Sequence, residues 1–243
     1  MRFNAEKARD DIIRFIRDFF KKSGGMTAVI GLSGGKDSTI VAALCAEAIG
    51  KENTVGVIIP NGVMVDIGEA MDAAERYCGN SYVFNLSSMM MCMNTSVLPL
   101  STEQARINLP ARLRMCILYY VAQSLTHGRV ANTCNLSEDY VGWATRYGDT
   151  AGDFAPLHNY TVQEVKAIGR TLGVPEKLVE KVPSDGLCGK TDEEGLGFSY
   201  EVLDRYIRTG ECDDTLIKER IDTLHERNLF KLMAIPAAPN RFA

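Results

Sequence analysis

A short β-branched apolar run, Thr27-Ala28-Val29-Ile30-Gly31-Leu32, leads at once into Ser33-Gly34-Gly35-Lys36-Asp37-Ser38 and then into a helical pattern over residues 38–49. A buried strand that passes through a glycine pair straight into a helix has few continuations, because a parallel partner strand needs a crossover of this kind. Val55-Gly56-Val57-Ile58-Ile59-Pro60 supplies a second buried strand, residues 66–78 a helix, and Ser81-Tyr82-Val83-Phe84 a third strand. The alternation β-α-β-α-β predicts an α/β fold, a doubly wound parallel sheet with helices on both faces. Ahead of it, Ile12, Ile13, Phe15, Ile16, Phe19 and Phe20 recur at helical spacing over residues 5–22, and Ser23-Gly24-Gly25 ends that helix.

Further along, residues 85–107 are Met-rich and poorly periodic and read as a connection with room for a short helix. Residues 110–127 read as a helix opening at Pro110, and residues 129–133 as a fourth strand. Residues 134–160 and 183–198 read as irregular segments, and segments that long inside a domain usually carry function. Residues 161–172 form a helix capped by Gly173, and two C-terminal helices are expected at 199–209 and 213–228. No repeat, low-complexity tract or linker interrupts the chain of 243 residues, so a single domain over 1–243 is expected.

The order strand, glycine pair, helix presents backbone amides at a helix N-terminus, where they lack partners and the helix dipole favours negative charge. Ser33 and Ser38 add hydroxyls, Gly34 and Gly35 let the backbone approach an oxyanion, and Lys36 adds positive charge. Asp37 repels phosphate unless a divalent cation lies between them, so the loop itself implies Mg²⁺. The Walker pattern fails twice, because Lys36 is followed by Asp37 and the position five before Gly35 is Ile30; the pattern G-x-G-x-x-G fails as well.

Composition narrows the partners. The formal net charge is −4 and charged residues make up 24%, which gives no basic footprint for nucleic acid. No apolar run approaches the roughly 18 residues of a membrane span. The N-terminus has no apolar signal-peptide region, and the 7 cysteines contain no C-x-x-C pair, which fits reduced thiols in a cytoplasmic protein.

The loop Gly31-Leu32-Ser33-Gly34-Gly35-Lys36-Asp37-Ser38 resembles the pyrophosphate-binding loop of the N-type ATP pyrophosphatases, which cleave ATP between its α- and β-phosphates. Asn108-Leu109-Pro110-Ala111-Arg112, Thr133 with Asn135-Leu136-Ser137-Glu138, Thr145-Arg146-Tyr147-Gly148-Asp149 with Asp153, Pro183-Ser184-Asp185-Gly186-Leu187 and Asp192-Glu193-Glu194-Gly195 follow in order. This series resembles NAD synthetase from about residue 25 to 235. The resemblance implies an adenine nucleotide alpha hydrolase-like fold and the amidation of deamido-NAD to NAD⁺ through an adenylylated nicotinate carboxylate, releasing AMP and pyrophosphate. Residues 31–38, Thr133 and Ser184 would hold ATP, and Asp37 and Glu138 would hold Mg²⁺. Arg112, Arg146, Asp153 and Lys231 match positions that hold deamido-NAD, and Asp149 matches a residue that receives ammonium and takes its proton. A homodimer is implied too. No glutaminase segment precedes the first helix, so ammonia is the expected nitrogen donor.

The chain departs from the family at Asn132, where Gly is usual, at Arg146, where Lys is common, at Val162, where a phosphate-contacting Lys stands, and at Phe230, where His precedes the lysine. Lys36 or Lys166 is expected to replace the charge missing at Val162, since Lys166 lies one turn further along the same helix. Two other readings of the same loop are a tRNA-modifying adenylyltransferase, which an acidic chain without paired cysteines disfavours, and a non-catalytic nucleotide sensor.

Overall fold

The computed structural model of the chain describes residues 3–96, 102–181 and 191–238. Helix α1 (Ala5–Ser23) is capped by Asn4, whose side chain accepts from the Lys7 amide at 2.9 Å, and stops at Gly24 in the left-handed region. Then follow β1 (Thr27–Gly31), α2 (Lys36–Ile49), β2 (Thr54–Ile58), α3 (Ile67–Tyr77) and β3 (Asn80–Val83). Helices α4 (Ser87–Ser96) and α5 (Glu103–Ser124) lead to β4 (Gly128–Val130). The remaining helices are α6 (Leu136–Val141), α7 (Val162–Thr171), α8 (Glu176–Val179), α9 (Asp192–Leu196), α10 (Tyr200–Thr209) and α11 (Thr215–Asn228).

The strands are all parallel, in the order β3-β2-β1-β4, with Val29 in register with both Val55 and Val130. Strand alternation divides the core. Ala28 and Ile30 face Ile16 of α1, Ile40 and Leu44 of α2, and Ile168 of α7. Val29, Val55, Val57 and Val130 face the opposite side, covered by Met115, Leu118 and Val121 of α5. Ile16, Ile40, Leu44 and Ile168 are fully buried, and each such side chain stabilises the fold by roughly 1.5–3 kcal/mol. A third cluster joins Val141, Val162, Leu196, Phe198, Leu203 and Ile221 and packs the C-terminal helices onto α6 and α7.

The chain leaves β1 toward α2 on one face and reaches β4 from α5 on the other. The loops after β1 and β4 therefore diverge and leave a crevice at the carboxyl ends of the strands, the topological switch point of such sheets. Residues 33–38 and 131–138 stand at that crevice.

Several expectations are corrected. Helix α5 starts at Glu103, capped by Thr102, and runs through Pro110 instead of opening there. The proline removes one donor, but the buried Met115, Leu118 and Val121 face holds the helix on the sheet and the turns on either side keep their own bonds. Strand β4 is shorter than residues 129–133, because only Ala131 continues beyond it, as a single bridge to Phe154. The segment 134–160 contains α6, whose capping box pairs Asn135 with Glu138. Among the described residues no helix is long and apolar enough to cross a membrane.

Candidate active site

Helix α2 has Gly35 as its N-cap, with no side chain capping it, whereas α1, α6 and α9 all have capping side chains. Its first-turn amides are left for a ligand. Leu32 is tied to the sheet by its amide bond to the Val57 carbonyl at 2.9 Å, and it is buried. Gly31 lies at the end of β1, where an added Cβ would press on Leu118 at 3.2 Å. The Ser33 and Ser38 hydroxyls lie 3.2 Å apart, the Ser33 amide donates to Ser38 Oγ at 3.3 Å, and the Gly35 amide donates to Ser33 Oγ at 3.3 Å. Gly34 has φ +74°, and a Cβ there would stand 2.4 Å from the Asp66 carbonyl oxygen. Only glycine meets both conditions.

Lys36 turns inward. Its side chain is 2% exposed and its ammonium lies 2.8 Å from Asp37 Oδ2. Burial works against the charge, but Asp37, Glu138 and Asp192 outweigh it and hold the ammonium above its ordinary range. Asn135 joins the two carboxylates: its side-chain amide donates to Asp37 Oδ1 at 3.3 Å and its backbone amide to Glu138 Oε2 at 3.4 Å. Burial of the Glu138 carboxyl, with the Asp37 charge adding to it, pushes Glu138 well above the usual carboxylate range. Asp192, from the start of α9, accepts from Tyr200 at 3.2 Å and adds further negative charge. Among the described residues no set of three or more His, Cys, Asp or Glu side chains forms a metal cage. A cation here would rest on Asp37 and Glu138 and complete its shell from water and phosphate oxygens, the habit of Mg²⁺. Two carboxylates joined by one residue, with the deeper one raised, fit such a cation.

The loop after β4 is organised by Asn132. Its side-chain amide donates to the carbonyls of Asp149 at 2.7 Å and Ala151 at 3.1 Å, and its Oδ1 accepts from the Cys134 amide at 2.8 Å. Gly152 makes room, since a Cβ there would meet Asn132 at 2.8 Å. The Asn at this position therefore pins the segment that carries Asp149. Thr133, half-buried, follows it on the crevice side. Asp149 is exposed; one carboxylate oxygen accepts from the Thr145 amide at 3.2 Å, closing the turn 145–149. Half-buried Arg114 lies within electrostatic reach of Asp149 and donates to the Ile59 carbonyl at 3.1 Å.

Arg112 and Arg146 come together, with Arg112 Nε donating to the Arg146 carbonyl at 3.2 Å. The Arg146 guanidinium stacks between Tyr147 at 5.0 Å and Phe230 at 5.4 Å. Phe230, at the departing position, thus supports the arginine. Lys231 donates to the carbonyls of Gly142 at 2.7 Å and Ala144 at 3.1 Å and so ties the C-terminal turn to the end of α6; burial lowers its pKa. Asp153 is drawn to the sheet edge, where it accepts from the Val130 amide at 2.8 Å. Ser184 lies outside the described residues.

Val162 faces the C-terminal cluster and is buried there. Neither proposed substitute for the missing charge is unengaged: Lys36 pairs with Asp37, and Lys166 pairs with Glu180 at 2.8 Å. A third lysine, which the sequence does not single out, also reaches the loop. Lys181 donates to the Gly34 carbonyl at 3.0 Å and pairs with Asp66 at 2.7 Å. Asn135 and Asn132 stand in the sequence as part of a motif and as a departure, and the structure gives each a positioning role. The spacing of Asn135 before Glu138 is a capping box readable in sequence, and Asn132 was visible as a departure.

The NAD synthase family model matches residues 9–235. The NH(3)-dependent NAD(+) synthetase of Methanocaldococcus jannaschii is 38% identical over 216 residues, 86% of this chain and 83% of the relative. The protein of that name from Archaeoglobus fulgidus is 36% identical over 242 residues, 97% of each chain. Among solved structures, NMN synthetase from Francisella tularensis superposes with a TM-score of 0.90 at 30% identity, covering 98% of this chain and 100% of that one. NH3-dependent NAD synthetase from Campylobacter jejuni superposes with a TM-score of 0.80 at 26% identity, with the same coverage. The uncapped glycine loop at the switch point, the joined Asp37 and Glu138 and a family match along nearly the whole chain agree: this chain belongs to the NAD synthase family.

Proposed function

We propose that the chain catalyses the ATP-dependent amidation of deamido-NAD to NAD⁺ with ammonia, through an adenylylated nicotinate carboxylate, releasing AMP and pyrophosphate. The observation that carries this reading is the glycine loop of residues 31–38, with Asp37 joined to Glu138 through Asn135, in a chain of the NAD synthase family. The loop amides and the Ser33 and Ser38 hydroxyls hold the phosphates, with Thr133 and Ser184 assisting. Arg112 and Arg146, whose guanidinium groups carry fixed charge, clamp the anionic acceptor. Asp37 and Glu138 would hold Mg²⁺, which when bound offsets the phosphate charge next to Asp37. Asp149 receives ammonium and takes its proton, a role its exposure and its remaining carboxylate oxygen leave room for. Lys231 and Asp153 act by fixing the segments around the acceptor, the reading their backbone bonds support. Holding both substrates in register supplies much of the rate gain. A single catalytic domain, a homodimer and a cytoplasmic location complete the reading.

The test is an assay of deamido-NAD, ATP, Mg²⁺ and ammonium, read as AMP and NAD⁺. Equal amounts of AMP and NAD⁺ are expected, with no pyrophosphate released when deamido-NAD is omitted; ADP as the product would sink the proposal. The likeness to the Francisella NMN synthetase favours a second reading, in which the acceptor is the mononucleotide that bears the same carboxylate. Nicotinate mononucleotide run in parallel decides between them by the ratio of kcat/KM.

A further inference from the structure

The described crevice has charge on two sides of the phosphate loop. On the inner side Lys36 is enclosed and committed to Asp37. On the outer lip, Lys181 arrives from the end of α8 and places its ammonium 3.0 Å from the Gly34 carbonyl oxygen. Its other partner, Asp66, precedes α3 and lies 2.7 Å away. Gly34, Asp66 and Lys181 thus meet at one junction, tight enough that a Cβ on Gly34 would overlap Asp66.

Unlike the other ion pairs around α7 and α8, this one also holds the glycine loop, through the Gly34 carbonyl. The Lys181 and Asp66 side chains keep 26% and 34% of their surfaces exposed, so the pair is partly hydrated. A phosphate seated on the α2 amides lies across one peptide from the Lys181 ammonium. A single partly hydrated carboxylate is a weak competitor for that ammonium against the clustered charges of a triphosphate. On the ATP reading, phosphates seated on the α2 amides lie next to Gly34, whose carbonyl the Lys181 ammonium holds.

We propose that Lys181 is a phosphate-binding residue of this chain, exchanging Asp66 for the β- and γ-phosphates of ATP and holding the pyrophosphate as it leaves. This rests on the ATP reading given above. The reaction balances without it: the nicotinate carboxylate oxygen bonds to the α-phosphorus, the bond to the β-phosphate bridging oxygen breaks, and pyrophosphate departs with that electron pair beside a fixed positive charge.

Isothermal titration of the full chain with MgATP, pyrophosphate and AMP tests it. Lys181→Ala should weaken ATP and pyrophosphate at least tenfold and leave AMP within twofold. Lys181→Arg should keep affinity within threefold of the original. Asp66→Asn, which releases the ammonium, should leave ATP binding unchanged or tighter. ATP affinity in Lys181→Ala equal to the original would overturn the proposal, as would an equal loss for all three ligands or an equal loss in Asp66→Asn, since either marks a structural tie only. Should the alanine variant not fold, amine acetylation of the unmodified protein mapped by mass spectrometry gives the same decision: ATP and pyrophosphate protect Lys181 and AMP does not, or the proposal fails. Absence of ATP binding by the unmodified protein would instead overturn the functional reading itself, and the proposal with it.

Discussion

Glu138 is stabilised in its protonated form by burial and by Asp37, and the direction of that shift sets a sign. A group whose pKa is higher in the folded chain than in the unfolded one favours folding at low pH. That contribution fades as the pH rises past the unfolded value and is gone above the folded one. In metal-free protein at pH 8, Glu138→Gln is therefore expected to melt at or above the original, by about 1 kcal/mol or roughly 2–4 °C. Turnover should fall by about 10²-fold or more, because a neutral amide cannot hold a cation against phosphate. A calorimetric scan and the coupled assay check the two halves, and a loss of both stability and activity would mean that Glu138 is structural. At this scale the turn that places residues 33–38 at the crevice was legible, because a strand, a glycine pair and a helix follow one another directly in sequence. Lys181 was not legible, because Leu178-Val179-Glu180-Lys181 reads like any short helix end, and its contact with Gly34 spans 147 residues of chain.

At the scale of elements, α7 shows how one position can be reassigned. Its first residue, Val162, donates its amide to Ser137 Oγ at 3.0 Å and turns its side chain among Leu196, Leu203 and Ile221. Asp204 of α10 accepts from the next amide, Gln163, at 2.8 Å, so the start of α7 is locked into the C-terminal helices. Placing an ammonium there would bury it in that apolar cluster. Val162→Lys is expected to lose more than about 2 kcal/mol in urea unfolding and to gain no ATP affinity. Tighter ATP binding in that variant would show that α7 can still present a cation to the loop. Periodicity found the long helices, since α1, α7 and α10 each bury one regular stripe. It misplaced the start of α5, because a proline's local preference yields where an apolar face packs on a sheet. It passed over α8 and α9, which span too few turns to show a period.

For the whole molecule, surface composition carries the remaining expectation. Phe15, Tyr120, Phe230, Met233 and Ile235 are exposed apolar side chains, spread over α1, α5 and the C-terminal turn. Light scattering after gel filtration is expected to give twice the mass of one chain; a single-chain mass at micromolar concentration would refute the proposed homodimer. The sheet order was only partly legible, because strand alternation predicts parallel pairing but not that β4 lies beside β1. That neighbour relation opens the crevice, and it also decides where Lys36 comes to rest. An ammonium carried on a side chain has a local concentration fixed by its tether and not by the medium. A dissolved cation held by the proposed Asp37–Glu138 site would come and go as its supply varies, while this one stays. Chelating the surrounding divalent ions should silence the enzyme without unravelling its loop.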